Sequence, residues 1–201
     1  DGFRIRSYRN AAAAVEGYPE RLAAIARNPE RKLTDMQIRV VGAPGFVAWC
    51  PDATCLVVTD SSGKRQPDAL FVVSVETGEK TQLTRPPPPV LGDSNPAISP
   101  DGRSLVFRRV PVANAGELYW LPLGTGLTAA GEPRRLTPAA QDAGYPAWMP
   151  DGKEILFSTG PRTGGGLWRL TISSESAPAR IPFVGEDGLM PVLSRPQPGG
   201  L

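Results

Sequence analysis

The sequence predicts a mainly β protein: a partial β-propeller of three four-stranded antiparallel blades plus a stub, preceded by two short α-helices. Three observations predict it. Pro-Asp steps at Pro51, Pro100 and Pro150 recur in one sequence context, at spacings of 49 and then 50 residues. Each occurrence is followed by the same series of short apolar runs. Gly and Pro, 22 and 23 of 201 residues, punctuate those runs, a texture that suits many short strands joined by turns.

The repeats align residue by residue. Ala48-Trp49-Cys50-Pro51-Asp52-Ala53 matches Ala97-Ile98-Ser99-Pro100-Asp101-Gly102, and both match Ala147-Trp148-Met149-Pro150-Asp151-Gly152. A second run follows each turn: Leu56-Val57-Val58, Leu105-Val106-Phe107 and Ile155-Leu156-Phe157. A third run comes next, at 70–73, 118–121 and 167–170. A short polar strand then ends in Leu83-Thr84 and in Leu136-Thr137, while the third repeat offers only Ile181-Pro182. Four strands in a unit of roughly 50 residues make a propeller blade. The expected blades run from about 44 to 90, 91 to 140 and 141 to 187, with Met190 to Ser194 opening a stub at 188–201.

Turn chemistry accounts for the repeated step. Proline presets the first central turn position, aspartate suits the second, and glycine takes the left-handed conformation of a bulged hairpin. Pro51, Asp52, Pro100, Asp101, Gly102, Pro150, Asp151 and Gly152 are therefore expected to be structural turn residues. Asp52, Asp101 and Asp151 could also be read as ligand carboxylates around a channel, but aspartate favours such turns for its own backbone bonds. The first turn has Ala53 where glycine belongs. A left-handed alanine costs about 1–2 kcal/mol, so that turn is expected to be strained or differently built. Trp49, Trp120, Trp148 and Trp168 are expected to pack within or between blades, since aromatic rings bury large areas. Arg85-Pro86-Pro87-Pro88-Pro89 reads as a stiff connector, because proline donates no ladder hydrogen bond.

Before residue 36 the pattern is helical. Ile5, Tyr8, Ala12 and Val15 recur at helical spacing, and Gly17 is a plausible stop. Pro19 fits the first turn of a second helix that carries Leu22, Ile25 and Ala26, and Asn28-Pro29 ends it. The domain boundary is expected near residue 36, with a helical fragment at 1–36 and the blades at 37–201.

Composition narrows the chemistry. The 22 Lys and Arg against 20 Asp and Glu give a net charge of +2, too little to imply a polyanion partner overall. The excess lies in residues 1–35, which hold seven basic and five acidic residues. The chain has no histidine, which removes the commonest general base and the Ser-His and Cys-His dyads. Two cysteines, Cys50 and Cys55, cannot build a structural zinc site alone. They flank the first Pro-Asp turn, and two states are open: reduced, partly buried thiols, or a disulfide in an oxidising compartment. No pattern calls for a cofactor, a metal or a catalytic residue. No apolar run approaches the roughly 18 residues of a membrane helix, and no leader segment is visible. Both cytoplasmic and periplasmic locations are compatible with this.

The Pro-Asp-Gly turns, the preceding Ala-Trp and the trailing Leu-Thr resemble the WD40-like repeat of TolB-type propellers, over residues 44–194. That resemblance implies a non-enzymatic scaffold whose loops bind a protein or a small ligand, as part of a larger sensor or regulator. Similar repeats also form the non-catalytic propellers of prolyl-oligopeptidase-type peptidases. The chain has no Gly-x-Ser-x-Gly elbow, and without histidine a hydrolase triad is incomplete. Phe3-Arg4-Ile5-Arg6-Ser7-Tyr8-Arg9-Asn10-Ala11-Ala12, with Val15-Glu16-Gly17 and Leu33-Thr34-Asp35, resembles the start of the N-terminal domain of family X DNA polymerases. That second resemblance implies DNA contact through Arg4, Arg6 and Arg9, against the alternative of a solvated helix face. The helix-hairpin-helix and palm domain of that family are missing, so polymerase activity does not carry over. Two abutting resemblances point to a fused, rearranged or mispredicted reading frame, truncated at both ends.

Three blades do not close a ring, which takes four to eight. Open blade edges invite association, and terminal repeats lose half their packing. The isolated chain is expected to be marginally stable or to self-associate at micromolar concentration, as read by sedimentation velocity and thermal melting. A sharp, cooperative, monomeric melt would contradict this.

Overall fold

The computed structural model describes residues 47–182 apart from 62, 64, 65, 114, 140, 161–164 and 174–176. The chain divides into two units, Asp1–Pro44 and Gly45–Leu201, and the described residues belong to the second. The two expected helices, the boundary near 36, Arg4, Arg6 and Arg9, and the stub at 188–201 lie outside the described residues.

Twelve strands follow one another, with no α-helix among the described residues. The first unit holds β1 (Val47–Trp49), β2 (Cys55–Ser61), β3 (Asp68–Ser74) and β4 (Lys80–Gln82). The second holds β5 (Gly92–Ile98), β6 (Ser104–Val110), β7 (Glu117–Pro122) and β8 (Arg134–Arg135). A short 3-10 turn, Thr125–Leu127, lies between β7 and β8. The third holds β9 (Ala143–Trp148), β10 (Glu154–Thr159), β11 (Leu167–Thr171) and β12 (Ala179–Arg180). Within each unit, successive strands pair antiparallel.

The expected units are there, but they form two sheets rather than three. A single parallel pairing, Asp68 with Gly92, joins the first two units into one eight-stranded sheet. The cause is close backbone approach. A Cβ at Gly92 would stand 2.9 Å from the backbone nitrogen and oxygen of Asp68, so only glycine permits the contact.

Alternation along the strands sets the packing. In the middle unit Leu105 and Phe107 of β6 point one way, and Leu121 and Tyr119 of β7 lie on the same face. They pack against Val57, Leu70 and Leu83 of the first unit. Val106, Leu118 and Trp120 point the other way, against Trp148, Ile155, Phe157 and Leu170 of the third. A sheet with period-2 side chains thus buries both faces. Trp148, Trp120 and Trp168 all join the second core, and Trp148 Nε1 donates to the Ala97 carbonyl at 2.9 Å. Trp49 is half-buried and pairs with Leu56, on the face opposite Val57.

Charged pairs supplement the apolar contacts. Arg109 and Asp93 make a two-bonded pair at 2.7 and 2.8 Å, with Asp93 fully buried. Burial works against the Arg109 charge, but the hydrogen bonds and charge of Asp93 outweigh it and hold the guanidinium above its ordinary range. Arg108 reaches across to the third unit, bonding Asp142 at 2.8 Å and the Ala143 carbonyl at 3.2 Å.

The inner strands β5 and β9 share a feature that the sequence reading did not anticipate. Asn95 and Tyr145, each before a proline, take left-handed φ values of 51° and 54°. The register shifts at both places, so each inner strand carries a bulge there.

The Leu-Thr signature also has a physical reason. Leu83 and Leu136 donate backbone bonds to Leu70 and Leu118 at 2.8 Å. The following Thr84 and Thr137 hydroxyls accept the backbone N–H of Leu70 and Leu118, both at 3.0 Å. Threonine thereby latches the outer strand where its own ladder is too short. In the third unit Ile181 still bonds Leu167 at 2.9 Å, but Pro182 has no hydroxyl to offer. The outer strands are short and basic, with Lys80, Arg134, Arg135 and Arg180 on them. The far face of the third unit carries Ala147, Leu156 and Leu167, all half-buried.

Thr137→Val should leave the buried Leu118 N–H without its acceptor and lower stability by about 1–3 kcal/mol. Urea denaturation of the chain and of a Thr137→Ser control, expected to keep most of the stability, checks this.

Candidate functional site

The Pro-Asp turns meet at one end of the sheets. Each is built alike. The residue after aspartate donates its N–H to a carbonyl three positions back: Ala53 to Cys50, Gly102 to Ser99 and Gly152 to Met149, each at 2.9 Å. The aspartate Oδ1 accepts the N–H two residues on, from Thr54, Arg103 and Lys153, each at 3.0 Å. The turn is then tied to the next connection, by Val75 to Thr54, Leu123 to Arg103 and Ile172 to Lys153. The three aspartates therefore do turn work. The left-handed residue has φ of 57° at Ala53, 71° at Gly102 and 69° at Gly152. Of the two expected alternatives for the first turn, the structure has the same turn with alanine in the glycine conformation.

The residues that close each hairpin differ. In the second unit Ser99 Oγ accepts the Ser104 N–H at 2.9 Å and donates to Asp101 at 2.6 Å. In the third, Met149 and Glu154 hold the same positions. In the first, Cys50 and Cys55 are joined as a disulfide with a Cα separation of 5.3 Å. Of the two states open from the sequence, the structure has the bridge and not the thiols. Both cysteines are buried.

Two of the three turns wall a cleft of about 840 Å³ between the first and second units. Pro51, Asp52 and Thr54 form one side and Asp101, Gly102 and Arg103 another. The β3–β4 connection adds Glu76 and Glu79, and the segment after β7 adds Leu123 and Leu127. Cys50, Cys55 and Val72 complete an apolar part of the lining. Four carboxylates thus face one guanidinium, so the cleft carries a negative field. Hydrogen bonds from the Ser99 hydroxyl and from the Arg103 N–H hold the Asp101 carboxyl below its ordinary range.

The sequence offers Asp52 and Asp101 as turn residues, with ligand carboxylates as the other reading, and the structure makes both turn residues that also line the cleft. Asp151 makes the same turn in the third unit and does not line it. Glu76, Glu79, Leu123 and Leu127 carried no motif. Their signal was positional: they sit in the connections after the third strand of two consecutive repeats.

The strand order, repeat and stacked faces define a mainly β fold of the bladed propeller kind. A fragment of TolB from Acinetobacter baumannii superposes with a TM-score of 0.53 at 26% identity, over 67% of this chain and 31% of that one. Prolyl oligopeptidase B from Galerina marginata superposes with a TM-score of 0.51 at 15% identity, over 72% and 21%. Among curated proteins, the uncharacterized peptidase YuxL of Bacillus subtilis is 29% identical over 117 residues, 55% of this chain and 16% of that protein. This chain therefore spans only a minor part of each of these proteins. No family model matches it. The resemblance of residues 3–35 to family X polymerases gains no support from these comparisons.

Ser99→Ala should let the Asp101 carboxyl titrate closer to the ordinary aspartate value, as followed by carbon-detected NMR. The folded value is depressed, so the turn's contribution is complete above pH ~4 and is lost as pH falls through the lowered folded value. The variant should lose that contribution at higher pH than the parent chain.

Proposed function

We propose that this chain is part of a non-catalytic propeller scaffold that binds a protein segment or small ligand, within a larger protein. The cleft between the first two units carries this reading. It is concave, lined by repeat turns that fix its shape, and joins an apolar floor to a charged rim, the usual make-up of a binding site. Its field favours a ligand that presents cationic groups, since complementary charge speeds encounter and selects partners. The chain has no histidine and no nucleophile elbow, and the reading assigns it no catalytic role.

The similarity to a peptidase favours a second reading, in which this is the propeller of a prolyl-oligopeptidase-type enzyme whose hydrolase domain lies elsewhere in the protein. Both readings use the same fold, and they differ in what flanks it. Coding sequence for a domain with a Gly-x-Ser-x-Gly elbow beside these blades would favour the second.

Affinity selection of a displayed random-peptide library on the chain tests the first. Peptides enriched in Lys and Arg are expected. The paired substitutions Thr81→Trp and Thr125→Trp, which fill the cleft from its exposed rim, should weaken them by about tenfold or more. Selected peptides that bind the filled variant as tightly as the parent would remove the cleft as the site.

A further inference from the structure

The three hairpins are internal copies of one design, and the first departs from the others in two places at once. It alone has a residue with a Cβ, Ala53, at the left-handed position, where Gly102 and Gly152 sit in the others. It alone closes with a covalent bond, where the others use Ser99 with Ser104 or Met149 with Glu154. The two departures are three residues apart and share a hydrogen bond, from Ala53 N–H to the Cys50 carbonyl at 2.9 Å. Cys50 N–H in turn donates to the Cys55 carbonyl at 2.9 Å, across the same bridge.

A left-handed alanine is held only when its surroundings over-determine it. In the second unit a glycine removes that need, and the Ser99 hydroxyl, accepting the Ser104 backbone N–H, is enough to close the turn. We propose that the Cys50–Cys55 bridge is a redox-set clamp on the wall of the cleft. Oxidised, it keeps the Ala53 turn in the form that glycine supplies elsewhere. Reduced, it releases that wall. Reduction takes two electrons and two protons from a dithiol such as dithiothreitol. The Sγ–Sγ bond breaks to two thiols, and the reagent closes to its own cyclic disulfide. The cleft is the path of access, because both cysteines contribute to its lining. As regulation of the cleft, the inference rests on the binding role proposed above. The clamp itself is testable without any ligand.

The other two hairpins serve as controls inside one molecule. Native-state hydrogen exchange should show the Cys50, Ala53 and Thr54 amides losing protection by about tenfold or more when dithiothreitol reduces the chain, the scale set by a left-handed alanine. The matching amides of Ser99, Gly102 and Arg103, and of Met149, Gly152 and Lys153, should not change. In an Ala53→Gly chain, reduction should leave the first turn nearly as protected as the other two. Cys50→Ser with Cys55→Ser supplies the pair found in the second unit. It should be loose with Ala53 and firm with Ala53→Gly. Full protection in the reduced parent chain, or in the double serine variant with Ala53 retained, would overturn the clamp. Loosening of the turn together with unchanged peptide binding would keep the clamp and separate it from the cleft's role.

Discussion

Everything in the described residues depends on the middle unit burying both of its faces. Leu105 and Phe107 look toward one neighbour and Val106 toward the other, because successive side chains of a strand alternate. A sheet with one wet face would need polar residues at every second position. Here β6 and β7 are apolar at consecutive positions, and two cores form from one pair of strands. The Arg108–Asp142 pair then ties the second unit to the third, while the Asp93–Arg109 pair braces β5 against β6 within the second. The hairpin turns and the cleft follow from that stacking, since the turns of successive units are brought to the same end.

Much of this was legible in the residues. The Pro-Asp spacing marked the hairpins, the apolar runs marked the strands, and Trp148 marked the interior. The Leu-Thr ending was visible as a pattern, while its reason, a hydroxyl accepting a strand N–H, lies in a contact between residues 14 and 19 positions apart. Two features were not legible for physical reasons. The Asp68–Gly92 contact joins units through one backbone approach, and one glycine among 22 carries no label for that. The bulges at Asn95 and Tyr145 were hidden because a following proline favours extended backbone in the residue before it, although Pro96 and Pro146 in an inner strand were a clue to irregular pairing.

The cleft was the least legible element. No single repeat contains it. It arises where the turn and the outer connection of one unit face the turn and the post-β7 segment of the next. Its residues are ordinary loop residues, and propeller-type specificity lives in such loops rather than in motifs. Ala53 was the exception. Its mismatch with Gly102 and Gly152 was visible in the alignment of the repeats and pointed to the one hairpin that is built with an extra bond.

The last strand of each unit, β4, β8 and β12, is only two or three residues long and carries cationic side chains. A lateral neighbour seeking backbone partners there would find few, each guarded by like charge. Strand addition at these three edges is thereby disfavoured. Beside those edges the third unit offers another copy a broad flank bearing Leu156 and Leu167, on which plates would pile rather than ribbons lengthen.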